Sequence, residues 1–487
     1  MRKSLMILAG VAVVATPALA QLQTLRQRDV AEASKQHPAL LSEFGGAITG
    51  PRAAYVEAIG RRVAAQSGTL NAGQAYRFTT LNSATENAFS VPGGYVYITR
   101  QLMGIMGDEA ELAFVLGHET AHIAADHGRT RQKSAQRGAI IGVLGAILGG
   151  VVGNNAFGGL ISQGAQQYGQ FATLRFSRQQ EYQSDQLGIR YITRAGYDPN
   201  AGASMLDALT RSAALEARVQ GKTGRSTPEW ASTHPLSQSR SAQAIQLARA
   251  TGRAGQGMRN RDAFLNQIDG VTVDDDPAQG VIEGTSFTHP DLRLQFNVPA
   301  GFQMQNGSDA VTIAGSSGKA QFGGGRFNGD MQAYIGTVLQ GLTGGKAQVE
   351  MSPLQRTNVN GIPAAYTLGR AQTNSGVVDV SIFAYEWDRN SAYHFVMLTQ
   401  GGAGIGPFQS MVGSLRRISQ AEAAAIRPRM INVVQVRTGD TLQSLAGRMA
   451  YRDFRLERFL SLNNLTTSSR LTPGTRVKLI VYGDRRV

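Results

Sequence analysis

The stretch HETAHIAADH, at residues 118–127, restricts what this chain can fold into more than any other feature. It places two histidines four positions apart, and residues at this spacing lie on one face of a helix. The imidazoles of His118 and His122 can therefore bind one ion, and Glu119 can act as a general base on a water at that ion. The chain has no cysteine, so a metal site must use histidine, aspartate or glutamate side chains.

Signals on both sides of this stretch predict the limits of the helix. Asp108 and Glu111 have the spacing of a capping box in front of an apolar run, which predicts the helix start. Gly128 predicts its end. His127 comes five positions after His122 and is expected to point away from the metal face, so we predict a structural role for it.

The third ligand has to come from another part of the chain, because a catalytic metal site takes three protein ligands. The segment SRQQEYQSD, at residues 177–185, begins with the cap pattern S-x-x-Q and predicts a second helix. Glu181 and Asp185 lie one turn apart on that helix. They can serve as a metal ligand and as an acceptor for a histidine N–H, or they can form an ordinary solvated face.

Four motifs, in their order along the chain, together resemble those of the gluzincin metalloproteases of the HtpX, CAAX prenyl protease and BepA type. Besides HExxH and S-R-x-x-E-x-x-x-D, they are NAFSVPGGYVYITRQLM at residues 87–103 and STHPLSQSR at residues 232–240. The resemblance covers about residues 25–250 and implies a mainly α zincin-type domain with a small β-sheet. It also implies one Zn²⁺ per chain and a catalytic base. The implied ligands are His118, His122 and Glu181, and the implied base is Glu119, with Asp185 behind a ligand histidine.

The resemblance also suggests roles for two residues of the motif at 232–240 and for the segment at 87–103, which precedes the helix that carries HExxH. We call that helix the metal helix. His234 would lie near the metal as a regulator, or it would belong to an ordinary His-Pro turn. Arg240 would stabilise the oxyanion of the reaction or pair with a carboxylate. Substrate is expected to bind as an added strand beside residues 93–98, which gives main-chain recognition and low sequence specificity. The residues expected to bind it are Asn87, Gly93, Gly94, Tyr95 and Val96.

The N-terminal stretch MRKSLMILAGVAVVATPALA predicts a secretory signal peptide. Its basic start, apolar run and small-x-small site predict cleavage after Ala20 and export to the periplasm. Removal of Arg2 and Lys3 lowers the formal charge from +14 to +12. Because the basic residues are scattered and no nucleic-acid-binding motif is present, this charge favours anionic lipids or cell-wall polymers over nucleic acid.

Three segments that lie outside the metalloprotease motifs and the tail differ in their sequence pattern. Residues 138–160 are apolar and rich in glycine, which favours a buried or interfacial helical hairpin and leaves peripheral membrane contact open. Residues 271–284 predict a linker. Residues 285–418 predict an α+β domain with an antiparallel sheet, because strand patterns surround one helical pattern at 329–342. This domain resembles the small PsbP/Mog-like type.

Residues 430–482 resemble a LysM domain with the element order βααβ. The resemblance depends on GDTL at residues 439–442, on LNNL at residues 462–465 and on the Pro-Gly turn at residues 473–474. It implies that the tail binds peptidoglycan.

The sequence therefore predicts a multidomain chain, and three functions are compatible with it. The first is a periplasmic zinc endopeptidase that degrades unfolded or misassembled envelope and outer-membrane proteins. The second is a chaperone-like assembly factor with gated proteolysis, and the third is mainly a peptidoglycan-binding protein. The expected units are a signal peptide at 1–20, the zinc metalloprotease domain at 21–270, the linker at 271–284, the α+β domain at 285–418 and the LysM-like domain at 430–482.

Overall fold

The computed structural model describes residues 24–128, 176–219, 234, 238–307, 310–343, 349–373 and 376–484. The expected signal peptide and the glycine-rich stretch 138–160 lie outside the described residues. Within the described ranges, no helix has the length and apolar character needed to cross a membrane.

The described elements are numbered in chain order. The helices are α1 (Gln27–Glu43), α2 (Pro51–Ala64), α3 (Ala72–Ala75), α4 (Arg100–Ile105), α5 (Glu109–Ala124), α6 (Arg178–Arg194), α7 (Ala201–Val219), α8 (Gln238–Ala250), α9 (Arg261–Ile268), α10 (Met331–Thr343), α11 (Gln409–Ser414), α12 (Gln420–Ala425), α13 (Leu442–Ala446) and α14 (Arg455–Leu462). The strands are β1 (Arg77–Leu81), β2 (Ala88–Val91), β3 (Tyr95–Thr99), β4 (Thr272–Val273), β5 (Val281–Glu283), β6 (Ser286–His289), β7 (Leu294–Asn297), β8 (Gln303–Asn306), β9 (Val311–Gly315), β10 (Gly318–Arg326), β11 (Glu350–Met351), β12 (Gln355–Val359), β13 (Ile362–Thr373), β14 (Gly376–Glu386), β15 (Ser391–Gln400), β16 (Arg416–Arg417), β17 (Arg429–Gln435) and β18 (Arg476–Tyr482).

A small sheet with the strand order β1-β3-β2 supports the metal helix. β2 and β3 form a hairpin around the turn at Pro92, Gly93 and Gly94, and β1 runs parallel to β3. Gly93 has a φ of +104°, and a Cβ there would lie 2.4 Å from the carbonyl oxygen of Asp29 in α1. Glycine is required at this position because the backbone of α1 passes against the turn.

The metal helix α5 is buried on nearly every side. It begins as predicted, because the Asp108 side chain accepts a hydrogen bond from the backbone N–H of Glu111. Its end differs from the prediction: the helix stops at Ala124, and Asp126 adopts the left-handed conformation with a φ of +56°. An aspartate can take this conformation because its short side chain tolerates it, and the chain therefore turns before Gly128.

The second helix of the site, α6, packs directly against α5. It starts at the predicted capping box, in which Ser177 and Gln180 bond to each other's backbone N–H, and it ends before Gly196, whose φ is +90°. A Cβ on Gly188 would lie 3.2 Å from the backbone nitrogen of His118. The absence of a side chain at Gly188 lets the two helices approach closely, which brings the carboxylates of α6 to the histidines of α5.

The region from β6 to β16 has the predicted α+β architecture. Its main sheet has eight strands, in the order β11-β13-β14-β15-β10-β9-β8 with β12 paired to β13, and all these pairs are antiparallel. α10 covers one face through Tyr334 and Ile335, and a second cluster that includes Phe296 and Phe408 covers the other. β7 begins at Leu294, directly after Arg293, which has a φ of +54°.

The C-terminal region has the predicted order of strand, two helices and strand, with β17 and β18 antiparallel. Its apolar side does not form a separate core. The elements from α1 to α9 form the first region of the chain. One hydrophobic cluster contains Leu102 and Leu206 of this first region together with Leu445 and Phe459 of the tail. The two regions therefore bury a common apolar surface, which contributes to the stability of both.

The segment expected to be a linker forms ordered structure between these regions. β4 pairs with β17 of the tail, and β5 pairs with β6 of the α+β domain. The buried guanidinium of Arg100 donates to the backbone carbonyls of Thr272 and Asp274, at 2.9 Å each. These bonds attach the segment to the first region, and the domain limits at 271–284 and 285–418 stay predictions.

The three aspartates at residues 274–276 each contact a different region. The first accepts a hydrogen bond from the Tyr451 hydroxyl of the tail, at 2.8 Å. The second accepts from the backbone N–H of Ile282 at the entry to the α+β domain, also at 2.8 Å. The third accepts from the Asn82 side chain of the first region, at 3.1 Å. This short acidic stretch is therefore a junction of all three folded regions.

Lys478 makes the deepest polar contact between the tail and the first region. Its Nζ is fully buried and donates to the carbonyl oxygens of Gly104 and Met106, at 2.8 and 2.7 Å. Burial lowers the pKa of Lys478 from 10.5 to about 7. The carboxylates of Glu111 and Asp108 oppose this shift.

We predict that Lys478→Met changes how stability depends on pH. Between about pH 7 and pH 10.5 the unfolded chain holds the Lys478 proton more tightly than the folded chain does, so the free energy of unfolding of the wild type rises with pH. The variant lacks this rise, so its deficit relative to the wild type should grow by about 1 kcal/mol per pH unit. Calorimetric unfolding at pH 7, 8 and 9 measures it.

The exposed Lys35 supplies the matched control. Lys35→Met should follow the wild type at each pH. A constant difference between wild type and Lys478→Met from pH 7 to pH 9 would contradict the predicted deprotonation of the buried amine.

Candidate metal centre

Four buried side chains meet between α5 and α6. The Nε2 atoms of His118 and His122 are 3.0 Å apart, and the Glu181 carboxylate oxygens lie 3.6 and 3.5 Å from them. His234 is the fourth member, with its Nδ1 2.9 Å from Glu181 Oε1. One ligand atom from each residue lies within 4.8 Å of those of the others.

This arrangement fits a metal ion better than a set of hydrogen bonds. Two imidazole lone pairs and a carboxylate converge on one point, and buried acceptors without a compensating donor or cation are costly. Histidine nitrogen and carboxylate oxygen are ligands of Zn²⁺ and related divalent ions. The structure brings together the three residues named from the motifs, His118, His122 and Glu181, and adds His234 to them.

Glu119 lies next to this group on α5 and is fully buried. Its Oε2 accepts a hydrogen bond from the Ser90 hydroxyl of β2, at 3.0 Å, and its Oε1 lies 3.4 Å from Nε2 of His234. Ser90 was missed in the sequence, although a hydroxyl on a buried strand needs a partner. The bond orients the carboxylate so that one oxygen remains directed at the centre.

Asp185 and Arg240 form the layer behind the ligands. Nδ1 of His118 lies 3.0 Å from Oδ1 of Asp185, so the imidazole can donate its proton there and present Nε2 to the centre. Arg240 donates two bonds to Asp185, at 2.8 and 2.7 Å, and its Nη1 lies 2.9 Å from Glu181. Arg240 thus pairs with carboxylates, the second of its two expected roles.

The electrostatics of this layer keep the carboxylates ionised. Burial acts to raise the pKa of Asp185, but the charge of Arg240 and the hydrogen bond from His118 outweigh it and hold the pKa near 2. Burial acts in the same direction on Glu181, where the charges of His234 and Arg240 lower the pKa instead. Burial disfavours protonated His118, yet Asp185 raises the pKa of this histidine. The ionised carboxylates supply negative charge for a cation.

The pairing of the strands differs from the pairing that the expected position of the substrate strand requires. β3, which contains Tyr95 and Val96, has β1 on one side and β2 on the other, so its backbone is fully paired. Within the described residues, no strand pairs with the outer edge of β2, the strand that carries Ser90. The expected added strand therefore cannot pair with Tyr95 and Val96 of β3, and β2 offers the edge instead.

Asn87 lies immediately before β2 and is fully buried. Its side-chain amide nitrogen and oxygen have no hydrogen-bond partner among the described residues. A buried amide in this condition costs free energy unless a ligand satisfies it. Gly93 and Gly94 form the turn after β2, and Gly93 lines a cleft that also contains His122.

His127 does not reach the centre, in agreement with its phase, but it contacts a ligand. Its Nδ1 lies 3.0 Å from Nδ1 of His122. Burial lowers the pKa of His127. The sequence signal for this contact is the third histidine of HETAHIAADH, which the helix geometry alone places off the metal face.

Comparison with known families agrees with this geometry. A model described as Peptidase family M48 matches residues 51–248, and one described as LysM domain matches residues 434–479. Together they confirm the resemblance that the motifs and the tail suggested.

Curated relatives match about two fifths of the chain. The Beta-barrel assembly-enhancing protease of Escherichia coli (strain K12) is 29% identical over 209 residues, which covers 42% of this chain and 39% of that protein. The same-named Yersinia pestis protein is 32% identical with the same coverage. The Mitochondrial metalloendopeptidase OMA1 of Schizosaccharomyces pombe is 28% identical over 204 residues, 41% of this chain and 55% of that one. The chain thus spans about two fifths of the length of the bacterial relatives.

Solved structures match less closely. Cyanobacterial PsbP (CyanoP) from Synechocystis sp. PCC 6803 matches with a TM-score of 0.22 and 11% identity, over 28% of this chain and 98% of that one. A score of this size carries no argument about the fold. The likeness of the α+β domain to PsbP therefore stays a prediction.

We predict that Arg240→Gln weakens metal binding without unfolding the protein. Loss of the guanidinium leaves Asp185 and Glu181 without their paired cation, so both carboxylates and the His118 ring become less well oriented. Loss of such support typically lowers metal affinity about 10- to 100-fold. Zinc retained after dialysis against a graded chelator measures it, and the exposed Arg249→Gln on the same helix is the control. Equal retention in both variants would contradict this role.

Proposed function

We propose that this chain, which carries a Peptidase family M48 domain at residues 51–248, is a zinc-dependent endopeptidase. The observation that carries the proposal is the position of the Glu119 carboxylate. It is buried beside the convergent donors of His118, His122 and Glu181 and is held on one side by Ser90. A base at this position beside a metal site is the arrangement for hydrolysis by an activated water.

The residues of the chain divide the reaction between them. Bound zinc would supply Lewis acidity to the peptide carbonyl and to the attacking water. Glu119 would accept the proton of that water at Oε1, because Oε2 is bonded to Ser90. The same carboxyl group would then donate the proton to the leaving amine, which completes the transfer of the water across the peptide bond.

Substrate would bind along the outer edge of β2. Pairing there places an extended peptide beside Ser90 and Glu119, and Asn87 lies immediately before the same strand. Main-chain recognition is independent of side chains, so it favours unfolded polypeptides over a particular sequence. Gly93 and Gly94 would shape the hairpin turn at the end of β2, because the turn packs against the backbone of Asp29 and Ala75 and leaves no room for a side chain.

The cellular role follows from the matched relatives and the predicted export. We infer that the protein acts in the periplasm on unfolded or misassembled envelope and outer-membrane polypeptides, after signal peptide cleavage behind Ala20. The bacterial relatives bear the name Beta-barrel assembly-enhancing protease, which supports this substrate class. The LysM domain at residues 434–479 supports attachment to peptidoglycan. Peripheral membrane contact through residues 138–160 and the absence of nucleic acid binding remain predictions.

We predict that Glu119→Gln abolishes hydrolysis of casein and leaves the zinc content near one per chain. The amide keeps the shape of the side chain but cannot accept the proton of the attacking water. Digestion of casein with and without chelator, together with metal analysis of the same samples, measures both properties. The exposed Glu350→Gln variant should behave as the wild type in both assays. Chelator-sensitive hydrolysis that persists in purified Glu119→Gln would remove the base from the proposal.

A second function, a chaperone-like factor with gated proteolysis, is favoured by the position of His234. Its imidazole lies 3.3 Å from Nε2 of His118 and 3.4 Å from Glu119, within the group that could hold the ion. A fourth protein ligand at this point would occupy the place that a catalytic site leaves for water. We propose that His234 blocks the centre in this conformation and must leave for hydrolysis.

His234→Ala should therefore raise basal casein hydrolysis while zinc stays bound, because His118, His122 and Glu181 remain. Initial rates and metal content of the variant and the wild type measure this. A fall in the rate by about 10²–10³ would instead assign His234 to transition-state stabilisation. A rate equal to that of the wild type would contradict both roles.

A further inference from the structure

A chain of hydrogen bonds behind His122 has no part in the reaction described above. Nδ1 of His122 lies 3.0 Å from Nδ1 of His127, and Nε2 of His127 lies 3.1 Å from Oε1 of Gln183. The Ser184 hydroxyl lies 3.3 Å from Nδ1 of His127. Gln183 and Ser184 belong to α6, the helix that also carries Glu181 and Asp185.

The atoms of this chain are compatible with one arrangement of protons. If Nε2 of His122 faces an ion, its proton must be on Nδ1, which then donates to His127. Nδ1 of His127 must therefore be unprotonated, and the proton of His127 is on Nε2. That proton points at the amide oxygen of Gln183, which can only accept. Each group in the row thus determines the tautomer of the next.

The two ligand histidines are supported differently. Nδ1 of His118 faces the carboxylate of Asp185, whereas Nδ1 of His122 faces an imidazole. His127 reaches this position because Asp126 turns the chain after α5 with a φ of +56°. This turn returns a residue that is off the helical face to the rear of the ring of His122.

We propose that His127 is a positioning residue for the metal centre. It accepts the Nδ1 proton of His122 and so directs the Nε2 lone pair of that ring at the ion, while Gln183 holds His127 in the required tautomer. The proposal rests on the proposed function, because it requires that the centre binds a metal. It assigns no contact between His127 and substrate.

If His127 acted through packing alone, the zinc affinities of its variants would follow a different pattern. The ring of His122 stacks on Phe176, and the ring of His127 lies against both. An apolar side chain such as leucine would keep much of this packing but would supply no acceptor. An asparagine side chain is smaller, yet its Oδ1 can take the place of the imidazole Nδ1 as an acceptor. His127→Leu and His127→Asn therefore separate the two explanations.

The experiment measures zinc affinity of the full chain by competition with a chromophoric chelator. We expect His127→Leu to raise the zinc Kd about 10- to 100-fold and His127→Asn to restore most of the affinity. Gln183→Leu leaves both histidines in place and should raise Kd by a smaller factor. The exposed Gln179→Leu, on the same helix, should match the wild type. Cobalt-substituted protein should show an altered visible spectrum in His127→Leu and a nearly native one in His127→Asn.

Several outcomes would overturn the positioning role. These are an unchanged Kd in His127→Leu, equal losses in the leucine and asparagine variants, and a Gln183→Leu protein that binds zinc as tightly as Gln179→Leu. If His127→Leu does not fold, as shown by circular dichroism of the metal-free protein, the comparison of Gln183→Leu with Gln179→Leu decides. A wild-type chain that binds no zinc would instead contradict the proposed function, a result distinguishable from loss in the variants alone.

Discussion

Three carboxylates, those of Glu119, Glu181 and Asp185, lie out of water within one small volume, and the site depends on how their charge is compensated. An isolated buried carboxylate would take up a proton and lose its use as a ligand or a base. Arg240 prevents this for two of them through direct pairing, and the imidazoles of α5 add further positive or hydrogen-bonding partners. Such a network is costly to bury and costly to break, so its members act as a unit.

The close contact of α5 and α6 is what makes this network possible. Gly188 removes the side chain that would keep the helices apart, and the capped start of α6 sets the rotation that directs its carboxylates at the histidines. One helix then supplies Glu181 to the candidate metal centre, Asp185 to His118, and Gln183 and Ser184 to His127.

The three folded regions are joined more firmly than a chain of independent modules. The tail shares a hydrophobic core with the first region, and the aspartates at residues 274–276 bond to all three. The tail also covers α4, whose last carbonyls accept from Lys478. A partner that binds the LysM domain would consequently be attached to the region that holds the candidate metal centre. Removal of the tail would expose apolar surface of that region.

The sequence by itself determined the order of the regions and the residues proposed for the metal centre. HExxH places two histidines and a glutamate on one helix through local spacing alone, whereas the choice of Glu181 also needed the resemblance of the S-R-x-x-E segment to known metalloproteases. The sequence also predicted the antiparallel sheet of the α+β region and the βααβ order of the LysM-like tail. Only the tertiary structure decided the pairing of Arg240, the contact of His127 with His122, the position of β2 at the edge of its sheet among the described residues, and the ordered junction at 274–276. These features depend on which elements pack together and on the left-handed backbone of Asp126. The hydrophobic periodicity of a single segment predicts neither of them.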